Sequence, residues 1–359
     1  MQGNSIERRC VLLFVCIIIV LSYTMKPTVW LDLFRYYQYS EEIPIELSIL
    51  DYISYELNIH VDFIYYLCLF LVKKANIPVQ TVTSVFSCMY YIQIIYIIEY
   101  YRKRYRDRQY SVPVSLLMIM STLMVCGPLL VLTISRQLSA ICFLLSALIS
   151  YLNRKYFLMC SFVLIALMTH VGVFIFLLVL LFAYLIWIIY NRFAIKSRTV
   201  KMFYLIPITF TILVGNIGLL LLSVISFVLS PILPPAYVEA YLQMTTTSNI
   251  IQAHTRFINA LPVLIIYLGT TILIMIVRKI NFMILFTICL SFFMILFSFS
   301  FPFIGQRMNL ILPICFYFLL DAIIVDKSID LNLKKLSLFI MLVIICCYLF
   351  ELYLCRNLF

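Results

Sequence analysis

Three arginines, Arg136, Arg256 and Arg307, fall on the outward side of a chain whose other short connections are basic only on the inward side. In a polytopic membrane protein Lys and Arg of short connections collect on the cytoplasmic face, so an outward arginine marks a task. A guanidinium stays charged and grips phosphate-type oxygens with two parallel N–H bonds. The chemistry these residues offer is the holding of an anionic, lipid-attached group.

The three positions differ in setting. Ser135-Arg136-Gln137 follows the break at Gly127-Pro128 and precedes an inward helix expected from Leu138 to Leu152. Unpaired N–H groups and the positive dipole end of a helix start make an arginine there an anion site; the bland alternative is an arginine snorkelling to lipid headgroups. Arg307, in Phe303-Ile304-Gly305-Gln306-Arg307, repeats the arrangement before a helix expected from Met308. Two such sites suit two phosphates. Arg256 with His254 would add a third cationic corner on a longer loop.

His170, in Met168-Thr169-His170-Val171-Gly172, lies where two apolar runs meet with almost no connection. A neutral imidazole near the outer interface can take a proton from a hydroxyl. A histidine hydrogen-bonded between helices is the other reading. The segment Trp30-Leu31-Asp32-Leu33-Phe34-Arg35-Tyr36-Tyr37-Gln38-Tyr39 interleaves aromatic faces with an acid and a base, which suits sugar rings. An aromatic belt at the interface has the same composition.

Some chemistry is unsupported. The chain has 7 glycines and no phosphate-cradling glycine loop with its Lys-Ser/Thr pair. Its 3 histidines are far apart, with no H-E-x-x-H and no D-x-D, so no metal or other cofactor is expected. The 12 cysteines lie mostly inside apolar runs without a C-x-x-C, and read as small buried hydrophobes.

These residues must be positioned by membrane helices. Of 359 residues, 65% are hydrophobic and 11% charged, with mean hydropathy +1.10. So few charges cannot cover so much apolar surface in water. The expected fold is an all-α polytopic membrane protein, read as one domain. Runs long enough to span lie near 10–25, 79–101, 112–132, 137–152, 156–170, 172–190, 202–230, 258–277, 281–301, 308–325 and 336–355, about 11 helices. The first run follows Glu7-Arg8-Arg9 and reads as a retained signal anchor. The stretch 63–72 is too short to cross and reads as interfacial or re-entrant, with Tyr65 and Tyr66 at headgroup depth.

The net charge of +11 is spread over short connections, which is a topology signal and excludes a nucleic-acid partner. With the N-terminus cytoplasmic, most of the 26 Lys and Arg fall inside, including Arg102 to Arg108, Arg154-Lys155, Arg192 to Lys201 and Arg278-Lys279. Acidic lipid on that face is the partner they fit. Two outer loops are long, near 26–78 (net acidic) and 231–257 (proline-broken and rich in hydroxyls).

The chain resembles the Wzy-type polymerases of O-antigen and capsule repeat units, including the EpsG-like exopolysaccharide branch. The resemblance rests on Asp32-x-x-Arg35-Tyr36-Tyr37, Asp62-Phe63-Ile64-Tyr65-Tyr66, Ser135-Arg136-Gln137-Leu138-Ser139-Ala140, Tyr151-Leu152-Asn153-Arg154-Lys155, Ala166 to His170, and the late Arg307. It covers roughly residues 30–310, carried by order and spacing. It implies glycosyl transfer at the outer face of a bacterial inner membrane, with undecaprenyl diphosphate as leaving group. Lipid-linked glycans would be the substrates, and a chain-length regulator a further partner. Under it, Arg136 and Arg307 hold the diphosphate with Arg256 assisting; His170, His254 or Asp32 activates the acceptor; and Trp30, Arg35, Tyr36 and Tyr37 contact sugar. The second outer loop is short, so the family's arginine pattern maps only loosely onto Arg256. A flippase of lipid-linked glycans, an O-antigen ligase and a membrane acyltransferase are the competing classes. Scarce mid-span charge and the lack of an internal repeat count against the flippase.

Overall fold

The computed structural model describes residues 5–26, 32–59, 63–104, 110–202, 204–205, 265–300 and 307–354. Trp30, His254, Arg256, the second outer loop and the run at 206–230 lie outside them, as does the side chain of Asp32. The described residues are helical with no strand, as expected of backbone that must satisfy its own hydrogen bonds in lipid. Four helices among them are long and apolar enough to cross a membrane, and five shorter apolar helices accompany them.

The chain divides into two compact units. The first comprises Met1–Leu178, Leu310–Tyr317 and Leu338–Phe359; the second comprises Val179–Asn309 and Phe318–Ser337. In the first, α1 (Ser5–Thr24) and α5 (Gln80–Arg104) run antiparallel. Contacts at both ends and the middle fix that register: Glu7 with Arg102 at 3.2 Å, the ring of Phe14 on Tyr91, and Ser22 Oγ donating to Ser84 at 2.9 Å. Helix α8 (Ser135–Leu152) runs parallel to α5. Cys142 meets the carbonyl of Phe86, Gln93 donates to Ser146, and the Tyr100 hydroxyl donates to the carbonyl of Leu152. Helix α9 (Tyr156–Thr169) returns along α8 after a tight turn with Arg154 at φ 61°.

These directions sort the charges. Arg8, Arg9, Arg102, Lys103, Arg104, Arg154 and Lys155 gather at one end of the unit, and Arg136 and His170 stand at the other.

The apolar run at 112–132 is broken. Helix α6 (Val112–Met124) stops before Gly127, whose φ of 80° favours glycine, and a six-residue helix α7 (Pro128–Thr133) follows. A Cβ at Gly127 would stand 2.8 Å from the ring of Tyr348, whose hydroxyl donates to the carbonyl of Val125 at 3.2 Å. The Tyr348 ring thus packs directly onto the break.

The segment expected to form the first outer loop is largely helical among its described residues: α2 (Asp32–Glu42), α3 (Ile49–Ile59) and α4 (Ile64–Lys74). Hydropathy misses α2 and α3 because their polar faces interrupt any apolar run. Lys73 of α4 donates to the carbonyls of Ser40 and Glu41, capping the end of α2. Helix α4 packs on α2, α3, α5 and α9. Tyr65, Tyr66, Leu69 and Phe70 are buried against these neighbours. Tyr65 and Tyr66, expected at headgroup depth, face protein neighbours.

In the second unit α10 (Phe174–Arg192, begun in the first unit), α11 (Ile265–Ile276) and α12 (Phe282–Ser300) are apolar helices; α13 (Leu312–Val325) and α14 (Leu331–Leu354) are divided between the units, most of α14 belonging to the first. The described cysteines are free thiols; Cys126, Cys142, Cys289 and Cys315 are buried, whereas Cys16, Cys160 and Cys346, also read as buried, are exposed on the protein surface.

Candidate functional site

Helix α8 starts after Ile134, whose backbone leaves helical geometry at φ −108°, ψ 51°. Ser135 and Arg136 therefore occupy the first turn, where backbone N–H groups lack intrahelical acceptors. Ser135 is fully buried, and its hydroxyl is hydrogen-bonded to that of Tyr65. Arg136 Nη1 donates to the Tyr66 hydroxyl at 3.0 Å. The guanidinium also lies 5.7 Å from the ring centroids of both Tyr36 and Tyr66, within cation–π reach. A phenol and an aromatic face are neutral, so these contacts orient the guanidinium by hydrogen bonding and ring contact.

The rings form a cluster. Tyr36 stands edge-on to Tyr65 at 5.0 Å, and Tyr39 edge-on to Tyr66 at 4.8 Å, the favoured T-shaped arrangement. Behind them sits Glu56, fully buried, whose carboxylate accepts a hydrogen bond from the Tyr39 hydroxyl. Tyr52 stacks on Phe70 at 4.1 Å, and its hydroxyl reaches the backbone carbonyl of Tyr66 at 3.5 Å. Burial raises the pKa of Tyr39, and the adjacent Glu56 carboxylate adds to it; burial and the Tyr39 hydroxyl do the same for Tyr52. Tyr37 is pushed up to about 12, chiefly by burial. Tyr37, Tyr39 and Tyr52 are therefore un-ionised at neutral pH.

His170 joins α9 to a short 3-10 turn, Val171–Val173, in an extended conformation at φ −162°, ψ 114°. That turn touches α8, at the same end as Arg136. The imidazole is 6% exposed and folds over Gly172, where an added Cβ would meet Nε2 at 2.7 Å. The near-absent connection expected at this point is what the structure has.

The structure thus brings Arg136 and Tyr36 together and puts His170 at the same end of the unit. Tyr37 is half-buried with its hydroxyl enclosed, and Arg35 is exposed. Asp32 opens α2. Arg307 belongs to the other unit, in a helical turn. The helix expected from Met308 starts at Leu312, because a turn at residues 309–311 intervenes. Sequence reasoning had Tyr39, Tyr65, Tyr66 and Ser135 in view without this role, and missed Tyr52 and Glu56. The available signal was Glu56 itself, a carboxylate on the apolar side of an amphipathic helix among tyrosines. Among the described residues no group of three His, Cys, Asp or Glu could hold a metal ion.

Three segments separated in sequence, around Tyr36, Tyr65-Tyr66 and Ser135-Arg136, therefore meet at one point. Comparison with known families matches residues 9–357 to a model described as the EpsG family. No curated protein and no solved structure matches the chain.

Proposed function

The chain belongs to the EpsG family, a family of Wzy-like polymerases, and from that premise we propose that it polymerises lipid-diphosphate-linked oligosaccharide repeat units at the outer face of a bacterial cytoplasmic membrane. Undecaprenyl diphosphate is the leaving group. The observation that carries the reading is the guanidinium of Arg136, fixed at a helix start by Tyr66 and flanked by two tyrosine rings.

In this reaction the glycosidic bond from sugar C1 to the diphosphate oxygen breaks, and its electron pair leaves with the lipid diphosphate. An acceptor hydroxyl on the incoming repeat unit forms the new bond to C1 and gives up its proton. Negative charge grows on the leaving oxygens, and fixed cations there lower the barrier most. Arg136 supplies that charge, with Arg307 and Arg256 assigned to the same diphosphate. His170 takes the proton, with His254 and Asp32 as the alternative bases. Tyr36 offers a ring face to a sugar beside the arginine, and Trp30, Arg35 and Tyr37 complete the sugar contacts.

Membrane lipid, the glycan-lipid substrates and a chain-length regulator are the partners in this proposal. Purified protein in lipid nanodiscs, given lipid-linked repeat units alone, tests it. Longer lipid-linked chains are expected. Transfer to a different lipid core would make the protein a ligase, and movement of intact repeat units across the bilayer without extension would make it a transporter.

A further inference from the structure

A second site stands apart from these residues. In the second unit a groove of about 750 Å³ runs between the chain at Ser197–Lys201, helix α11 and the first turns of α14. Its lining is divided by chemistry. Arg198, Lys201 and Arg278 supply the cations, while Ile272, Leu333 and Leu336 supply an exposed apolar wall. No carboxylate belongs to the lining.

The three cations differ in their duties. Lys201 is buried, and its ammonium donates to the carbonyls of Met275 (2.8 Å) and Val277, which the end of α11 leaves without intrahelical donors. It closes the helix end and is structurally committed. Arg198 and Arg278 are exposed. One acid close by, Asp326, lies outside the lining; it accepts from the backbone N–H and hydroxyl of Ser328 at 2.9 and 2.7 Å and also feels the charges of Lys279 and Arg278. Two exposed guanidiniums therefore line the groove together with aliphatic side chains.

We propose that this groove binds one anionic phospholipid. The phosphodiester sits on Arg198 and Arg278, and an acyl chain lies along Ile272, Leu333 and Leu336. A single groove joining fork-shaped cations to an aliphatic wall matches both halves of such a lipid, whereas a free phosphate would use only the cations. Arg198 and Arg278 belong to the basic connections that the charge pattern assigns to the cytoplasmic side, the leaflet where anionic lipids attract basic residues. The inference is independent of the polymerase reading.

The test is lipid binding to the full chain, measured by native mass spectrometry of protein released from nanodiscs. Phosphatidylglycerol is expected to be retained in preference to phosphatidylcholine with one bound molecule. The double variant Arg198→Gln/Arg278→Gln is expected to weaken that binding about 30-fold, since each basic residue at the surface contributes ~1 kcal/mol. Lys327→Gln/Lys335→Gln removes the same charge from exposed positions outside the groove and is expected to change it less than about threefold through screening. Leu336→Trp, which fills the aliphatic wall and keeps both arginines, is expected to displace the lipid as well. Equal retention of the two lipids, or equal loss from both charge variants, would overturn the proposal. So would displacement by glycerol phosphate alone, which would make the site one for soluble phosphate.

Discussion

Arg136 and Arg102 stand at opposite ends of the parallel pair α5 and α8, and the chain treats them differently. Arg102 is tied by its own fold: Nη1 lies 3.2 Å from the Glu7 carboxylate, Nη2 donates to Ser115, and the guanidinium lies 5.7 Å from the centroid of the Tyr110 ring. It joins the start of α1, the end of α5 and the start of α6. The carboxylate cancels its charge, and the ends of three helices are fastened together. Arg136 is held by tyrosines. The phenol and ring contacts of Arg136 position its guanidinium at the start of α8, whereas Arg102 is tied to a carboxylate, so the two arginines are held by different chemistry.

The largest expected effect is on polymer formation. Arg136→Ala should lower polymerisation by roughly 30- to several thousand-fold, the ~2–5 kcal/mol lost with a desolvated charge-assisted contact. Arg307→Ala should do the same under the proposed assignment. Both proteins should remain in the membrane at normal levels. Polymer length on gels, normalised to membrane-embedded protein, measures this; full-length polymer from either variant removes that residue from the site.

A medium effect is expected at Tyr66→Phe. It keeps the ring and its cation–π face but deletes the hydroxyl that accepts from Arg136, a bond to a charged group worth ~1.5–3 kcal/mol. Turnover should fall about tenfold or more, and an unchanged rate would show that the hydroxyl does not orient the guanidinium. Tyr36→Leu removes one cation–π face, ~0.5–2 kcal/mol, and should cost roughly 2- to 30-fold. Its effect should grow as the glycan is shortened if Tyr36 also meets sugar.

The sharpest contrast comes from the smallest effect. Arg102→Ala should lower thermal stability, since it leaves Glu7 partly buried without its partner, while turnover per folded molecule stays at the wild-type value. A large fall in turnover at unchanged stability would dissolve the distinction between the two arginines.

How far the sequence foretold this follows the same physical line. Long apolar runs announce their helices because the bilayer demands them, and the break at Gly127-Pro128 is visible because glycine and proline punctuate a helix. Arg136 is legible as a charge in an apolar neighbourhood on the side that should hold few. Its surroundings are not. Tyr66 lies 70 positions away in sequence, and α2 and α3 bury few enough apolar residues to pass for loop. The same tyrosines that satisfy an interfacial belt also satisfy a buried cluster, and tertiary contact alone separates the two. His170 was legible for another reason: two apolar runs abutting with no polar spacer leave room only for a tight turn.

The most direct test of Arg136 as a diphosphate-binding charge is the equilibrium binding of undecaprenyl diphosphate to the purified protein in nanodiscs. Wild type, Arg136→Ala and Arg102→Ala are compared at fixed ionic strength. The prediction is affinity weakened at least about 30-fold by Arg136→Ala, by the ~2 kcal/mol lower bound for a desolvated charge contact, and unchanged by Arg102→Ala. Equal affinity in all three proteins would contradict it.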